Sequence, residues 1–171
     1  LDDAKLQASK TAFQQRQQQV AKEQQQLAET FLLKAQLLQL TFDFNGAAKQ
    51  FAEAIEVYPS LNSYFLAAKF HQELNHFQEA KPLYQKALEL ATTPNERATT
   101  LNNLAVLQNA NNDLIGAQAG YQEALSIRRT LAAKNPDAYL PDVAMTLNNL
   151  AVLQSDNNDF AGAQADYQEA L

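Results

Sequence analysis

The sequence predicts an all-α protein built from antiparallel helix pairs, and three observations support this fold class. Glycine and proline are scarce, with four and five residues among 171. Alanine, leucine and glutamine, which favour helices, are abundant. Residues 101–125 and 147–171 also agree at twenty of twenty-five positions, at an offset of 46. Self-similarity with a period of roughly 20–50 residues is typical of repeat architectures.

The composition excludes several classes of function. A net charge of -6 argues against nucleic-acid binding, because that affinity comes mainly from lysine and arginine on phosphates. The absence of cysteine excludes disulfides and thiol chemistry. No apolar run approaches the roughly twenty residues of a membrane helix, so we expect no membrane insertion. No signal peptide is visible, although the chain begins with leucine. The compartment stays open, with a soluble, cytoplasmic protein slightly favoured over a periplasmic one.

Each copy of the internal repeat divides into two helices around an Asn-Asn-Asp turn. In the first copy, Leu101, Leu104 and Ala105 share one helix face at i, i+3 and i+4 spacing. Asn112 can adopt the left-handed conformation cheaply, and Asp113 is placed to cap the next helix. That second helix has its own apolar stripe, formed by Ala117, Tyr121, Ala124 and Leu125. Neither helix can bury its stripe alone, so the pair must pack against neighbouring pairs.

This pattern resembles the tetratricopeptide repeat (TPR), which places large, small and aromatic residues at these positions. The resemblance covers residues 28–171 in four units, at about 28–60, 61–97, 98–143 and a truncated 144–171. The two earlier, divergent units carry it on Phe31, Ala35, Leu38, Ala47, Phe51, Ala54 and Pro59, then on Tyr64, Ala67, Ala68, His71, Ala80, Tyr84 and Ala87. It implies a right-handed superhelical solenoid of helix pairs. The Leu-Asn-Asn-Leu-Ala run is most similar to the kinesin-light-chain type, which also occurs in bacteria, and we expect a piece of a larger bacterial protein.

Two connections depart from the usual repeat. Phe42 stands where the family usually has glycine, so we expect a turn of unusual shape there. In the third unit the second helix is expected to run to Asn135 and to end at Pro136. Residues 137–142 would then form a loop before the next unit.

The N-terminal stretch, residues 1–27, is predicted to be a Gln-rich helix. Leu6, Phe13, Val20 and Leu27 follow one another at intervals of seven residues, which gives a thin apolar stripe. One interpretation is a cap or linker leading into the first unit. The other is a dimerising helix or a tether to an upstream domain.

The chain carries no recognisable catalytic or metal-binding motif. His71 and His76 are five residues apart and do not share a helix face. The acidic run at 156–159 lacks the glycine of a calcium loop, because Ala161 stands at that position. There is no phosphate-binding glycine loop or nucleophile motif. We therefore expect no enzymatic activity, no cofactor and no metal.

The resemblance places the first helices of successive repeats along a concave groove. The predicted peptide-binding residues are Asn102, Asn103, Val106, Asn109, Asn148, Asn149, Val152, Ser155, Phe65 and Lys69. A carboxamide both donates and accepts hydrogen bonds, so it can pair with the backbone of a peptide of any sequence. Asn103 and Asn149 are the expected principal contacts, supported by Asn102 and Asn148. Alternatively, these asparagines bond neighbouring repeats together, or only face solvent.

The predicted function is that of a non-catalytic module that binds a peptide segment or partner protein of unknown identity in the groove. Two alternatives stay open. The chain could be a scaffold that self-associates through its terminal repeats or its N-terminal helix. It could also be a sensor array that regulates an effector domain outside this chain.

Overall fold

The structure is a computed structural model that describes residues 3–170. Within this range it contains eight helices and no strand, which confirms the all-α fold class. The helices are α1 (Asp3–Leu40), α2 (Phe44–Val57), α3 (Leu61–Glu73), α4 (Phe77–Glu89), α5 (Pro94–Ala110), α6 (Leu114–Ala132), α7 (Pro136–Asp156) and α8 (Phe160–Ala170).

The chain divides into two compact units, residues 1–67 and 68–171, and the division falls inside α3. In the first unit α1 packs against α2. The apolar residues of the two helices that are almost fully buried are Ala28, Leu32 and Ala35 on α1 and Ala47, Phe51 and Ala54 on α2. α1 continues without a break across residue 27, where the sequence suggested a boundary between an N-terminal helix and the repeats.

In the second unit each helix from α4 to α8 packs against the next one. The predicted stripes form its core, with Tyr121, Leu125, Leu147 and Leu150 all buried. Helices α5 and α6 approach closely at Gly120, where an added Cβ would lie 3.0 Å from the Cβ of Ala105. Small residues at this crossing, Ala105 and Gly120, therefore set the distance between the two helices.

Four turns within helix pairs share one backbone geometry. One residue in each turn is left-handed, with φ between 58° and 63°; these residues are Phe42, Asn75, Asn112 and Asn158. The Asn112 N–H donates to the Asn109 carbonyl at 2.9 Å, and the Asp113 N–H donates to the Gln108 carbonyl at 2.8 Å. This pair of bonds is the Schellman motif, which satisfies carbonyls at a helix end. The predicted roles of Asn112 and Asp113 are confirmed.

The turn at Phe42 has the same geometry as the others, so the expectation of an unusual shape there is wrong. The Phe42 N–H donates to the Gln39 carbonyl at 3.1 Å, and the Asp43 N–H donates to the Leu38 carbonyl at 2.9 Å. A bulky residue is strained at positive φ. Its ring is 80% exposed and meets Phe44 edge-on at 6.2 Å, so little buried contact offsets this strain.

Three of the four turns end in an aspartate that caps the following helix. Asp113 Oδ1 accepts a bond from the Gly116 N–H at 3.0 Å, and its Oδ2 accepts one from the Gln108 side chain at 3.0 Å. These bonds, the one from Gly116 above all, hold the pKa of Asp113 below its usual range. A Cβ on Gly116 would lie 2.6 Å from that carboxylate, so the glycine makes room for the cap. Asp43 with Gly46 and Asp159 with Gly162 repeat the arrangement.

The start of α7 corrects the sequence interpretation of residues 137–142. These residues are helical rather than looped, because α7 begins at Pro136 with Asn135 as its N-cap. A proline at the first helical position loses no hydrogen bond, since that N–H has no partner within the helix. Pro136 therefore opens a helix here, and Pro141 lies inside it.

The early start of α7 gives Arg128 of α6 a buried partner surface. Arg128 is only 1% exposed, and its Nη1 donates to the Asp142 carbonyl at 3.0 Å and to the Thr146 hydroxyl. Burial lowers the pKa of this guanidinium. The neighbouring Arg129 is exposed and pairs with the Glu169 carboxylate at the surface. Adjacent arginines thus have different roles.

We predict that Arg128→Ala destabilises the fold by roughly 2–4 kcal/mol, because it leaves a cavity and removes the donor to the Asp142 carbonyl and the Thr146 hydroxyl. Arg129→Ala is the matched control and should cost at most about 1 kcal/mol, as expected for a surface ion pair. Urea unfolding followed by circular dichroism measures both. Equal costs for the two variants would contradict the assigned role of Arg128.

We predict that Phe42→Asn stabilises the protein by about 1 kcal/mol, because asparagine relieves the left-handed strain. The reverse change, Asn112→Phe, should destabilise the equivalent turn of the second unit. Thermal unfolding of the two variants and the parent checks this pair. A lower midpoint for Phe42→Asn would show that the Phe42–Phe44 contact outweighs the strain.

Candidate functional site

The accessible side of α5 and α7 carries most of the asparagines singled out in the sequence. Asn103, Val106, Asn109, Asn149 and Ser155 are half-exposed, and Asn148 and Val152 are exposed. We call these seven residues the α5–α7 face. The two helices contact each other within the second unit. The face is uncharged and alternates carboxamides with small apolar side chains, which suits hydrogen bonding to a neutral peptide backbone.

Asn102 does not belong to this face, contrary to its predicted supporting role in ligand contact. Its side chain is 4% exposed, and its Oδ1 accepts a hydrogen bond from Asn149 Nδ2 at 3.3 Å. The first asparagine of one copy therefore bonds to the second asparagine of the next copy. This contact favours the alternative in which part of the Asn pair joins neighbouring repeats.

Asn103 has a different environment from Asn102. Its Nδ2 donates to the Thr99 carbonyl one turn earlier in α5, at 2.9 Å. This bond orients the carboxamide, and no donor among residues 3–170 bonds to its Oδ1. The half-exposed Asn103 thus presents an oriented acceptor at the surface.

The two remaining predicted residues lie on α3. Phe65 is half-exposed and belongs to the first unit. Lys69 is exposed, belongs to the second unit and pairs with Glu73 on its own helix at 3.9 Å. Phe65 and Lys69 thus fall in different units, and the candidate site consists of the α5–α7 face alone.

Residues 3–170 bring no group of three histidine, cysteine or acidic side chains into a metal-binding arrangement. His71 is half-buried between the rings of Phe70 and His76, and desolvation lowers its pKa. Burial likewise raises the pKa of Tyr121 to about 12. None of the described helices has both the length and the apolar character required to cross a membrane.

Paired helices with small-residue crossings and left-handed closing turns define a helical repeat protein. Family models described as tetratricopeptide repeat match residues 61–94, and residues 97–137 and 143–171. These matches together cover more than half of the chain, which belongs to the TPR family. The resemblance seen in the sequence is confirmed. No curated protein sequence matches the chain.

Solved structures share the fold. BtubC (BKLC) from P. vanneervenii has a TM-score of 0.76 at 24% identity, over 84% of this chain and 61% of that one. The chain therefore spans less than two thirds of BtubC. Two structures of MamA have TM-scores of 0.66 and 0.67 at 15% and 16% identity, over 84% of this chain and 75% and 71% of theirs. These similarities establish a TPR-type helical solenoid fold.

We predict that Asn102→Ala and Asn149→Ala each destabilise the fold. Asn149→Ala should cost about 1–3 kcal/mol, because it leaves the buried Oδ1 of Asn102 without a donor. Asn148→Ala is the matched control. Asn148 occupies the position of Asn102 in the last copy but is exposed, so its replacement should change the free energy of unfolding by less than about 0.5 kcal/mol. A double-mutant cycle in urea measures the coupling. Additive effects of the two changes would contradict the inter-repeat bond.

Proposed function

We propose that the chain is a non-catalytic protein-binding module and that its α5–α7 face receives an extended segment of a partner protein. The observation that carries the proposal is the oriented, half-exposed carboxamide of Asn103 with an open acceptor. Membership of the TPR family supports a protein–protein interaction or scaffold role.

The chemistry of the face indicates the kind of ligand. Asn103 and Asn148 supply an acceptor and donors for backbone groups, while Val106 and Val152 supply apolar contact. Val152 is 44% exposed, as is Met145 one turn before Asn149. No member of the face is charged, so the expected ligand is a neutral or mixed segment rather than a strongly acidic one.

Asn149 has two roles in this proposal. Its Nδ2 bonds to Asn102, which holds α7 against α5, and Asn149 itself is still half-exposed. A binding test that changes Asn149 would therefore also weaken the fold. Asn103 and Asn148 are better targets, because neither side chain bonds to another repeat in the described residues.

We predict that peptides selected by display on the parent chain bind Asn103→Ala, Asn148→Ala at least about tenfold more weakly, since two hydrogen bonds are lost. Calorimetry or fluorescence anisotropy measures the affinity, and circular dichroism checks folding. The matched control is Asn45→Ala, Asn95→Ala, which changes two exposed asparagines that are not members of the face and should bind like the parent.

Two results would count against the proposal. Equal affinity of the parent and Asn103→Ala, Asn148→Ala would move the ligand away from the α5–α7 face. Failure of the parent to select any peptide would remove the peptide-receptor interpretation. Regulation of an effector domain outside this chain stays a prediction.

A further inference from the structure

The first two thirds of α1 form an exposed helix with an apolar stripe. Every residue from 3 to 27 falls in the exposed class. Leu6, Phe13, Val20 and Leu27 are 48%, 63%, 45% and 48% exposed. We call these four residues the N-terminal stripe. At 1.5 Å per residue it is about 31 Å long.

The stripe is separate from the surface that α1 uses inside its own unit. The buried residues of α1 are Ala28, Leu32 and Ala35. At 100° per residue they lie about 80° to 140° around the helix from Leu27. Packing on α2 therefore leaves the stripe free along its whole length.

A stripe with a strict period of seven residues matches a particular kind of partner. Apolar residues at this period stay on one line only where two helices wind around each other. A helix lying on a membrane needs a broad face of large apolar residues, whereas this one has a single large apolar residue per heptad, flanked by alanine, glutamine and charged residues. The geometry therefore favours another helix with the same period.

We propose that the N-terminal stripe pairs with the same stripe of a second copy of this chain, in parallel and in register. Each stripe residue then meets its own counterpart, so Phe13 packs on Phe13 and Val20 on Val20. A second copy of the same helix has the required seven-residue period, because its sequence is identical. Such a two-fold pairing is closed and yields a dimer rather than a filament.

The residues beside the stripe favour the parallel orientation. In a parallel pair, Arg16 and Glu23 lie next to Gln17 and Gln24 of the second copy, whose carboxamides can bond to either charge. In an antiparallel pair with all four stripe residues matched, Arg16 would instead lie beside Arg16 of the second copy. Like charges in this position destabilise helix pairing.

The pairing is weak, because the positions three residues after each stripe residue are polar, namely Ser9, Arg16, Glu23 and Thr30. Sedimentation equilibrium of the whole chain, from micromolar to millimolar concentration, should show a reversible monomer–dimer equilibrium. Phe13→Gln, Val20→Gln should raise the dissociation constant at least about tenfold, since two apolar layers are lost. Its circular dichroism and thermal midpoint should stay those of the parent.

A matched control distinguishes pairing through the stripe from nonspecific association of exposed apolar residues. Leu33→Gln, Leu37→Gln removes two apolar residues of the same helix that are 69% and 60% exposed but lie off the stripe. It should dimerise like the parent. A strict monomer at millimolar concentration overturns the proposal, and so does dimerisation that is lost in this control and kept in Phe13→Gln, Val20→Gln.

The absence of cysteine allows a direct test of orientation. In a parallel pair, chains carrying Val20→Cys should form a disulfide dimer under mild oxidation, because counterpart residues face each other. In an antiparallel pair, Val20→Cys would cross-link only with a differently tagged Phe13→Cys chain. Cross-linking that requires the mixture overturns the parallel arrangement. Peptide binding at the α5–α7 face is measured independently and does not enter this test.

Discussion

The helix pairs depend on one backbone constraint, which is a single left-handed residue at each closing turn. With φ near 60°, the chain reverses direction while the last carbonyls of the first helix find donors in the turn itself. The reversal sets the two apolar stripes against each other, and small residues such as Ala105 and Gly120 then fix how close the helices lie. A different turn would rotate the second helix and expose its stripe.

Local chemistry made most of this predictable from the sequence. Asn112 and Asp113 have side chains that suit their backbone positions, so the turn and the cap could be predicted from residue type. Phe42 could not, because phenylalanine opposes the left-handed conformation and only the fold around it imposes that geometry. Pro136 was misread as a helix end, since proline is compatible with a helix start as well as with a break. The position of Arg128 continues the spacing of the buried stripe, but its charge concealed that signal.

The candidate site was predicted less completely, because identical residues acquire different environments in successive repeats. Asn102 and Asn148 occupy the same place in two nearly identical copies, yet one is buried and the other exposed. Tyr121 and Tyr167 differ in the same way, at 2% and 41% exposed. What decides each case is whether the next helix covers the residue, and helical periodicity within one repeat contains no information about that neighbour. The sequence could therefore single out the Asn pair, but it could not show which asparagine contacts the neighbouring repeat and which is accessible to a ligand.

The three aspartate caps have a consequence for how such repeats can diverge. In each of them the carboxylate occupies space that a Cβ would take, so the aspartate and the glycine three residues later form one device. Replacing the glycine alone displaces the carboxylate. Replacing the aspartate alone leaves a glycine in the first helical turn, which destabilises the helix and no longer makes room for a cap. The second repeat has His76 and Glu79 at the two positions and no side-chain cap. Sequence change at these turns is thus expected to alter both residues together, and a repeat that has lost the pair does not regain it by a single substitution.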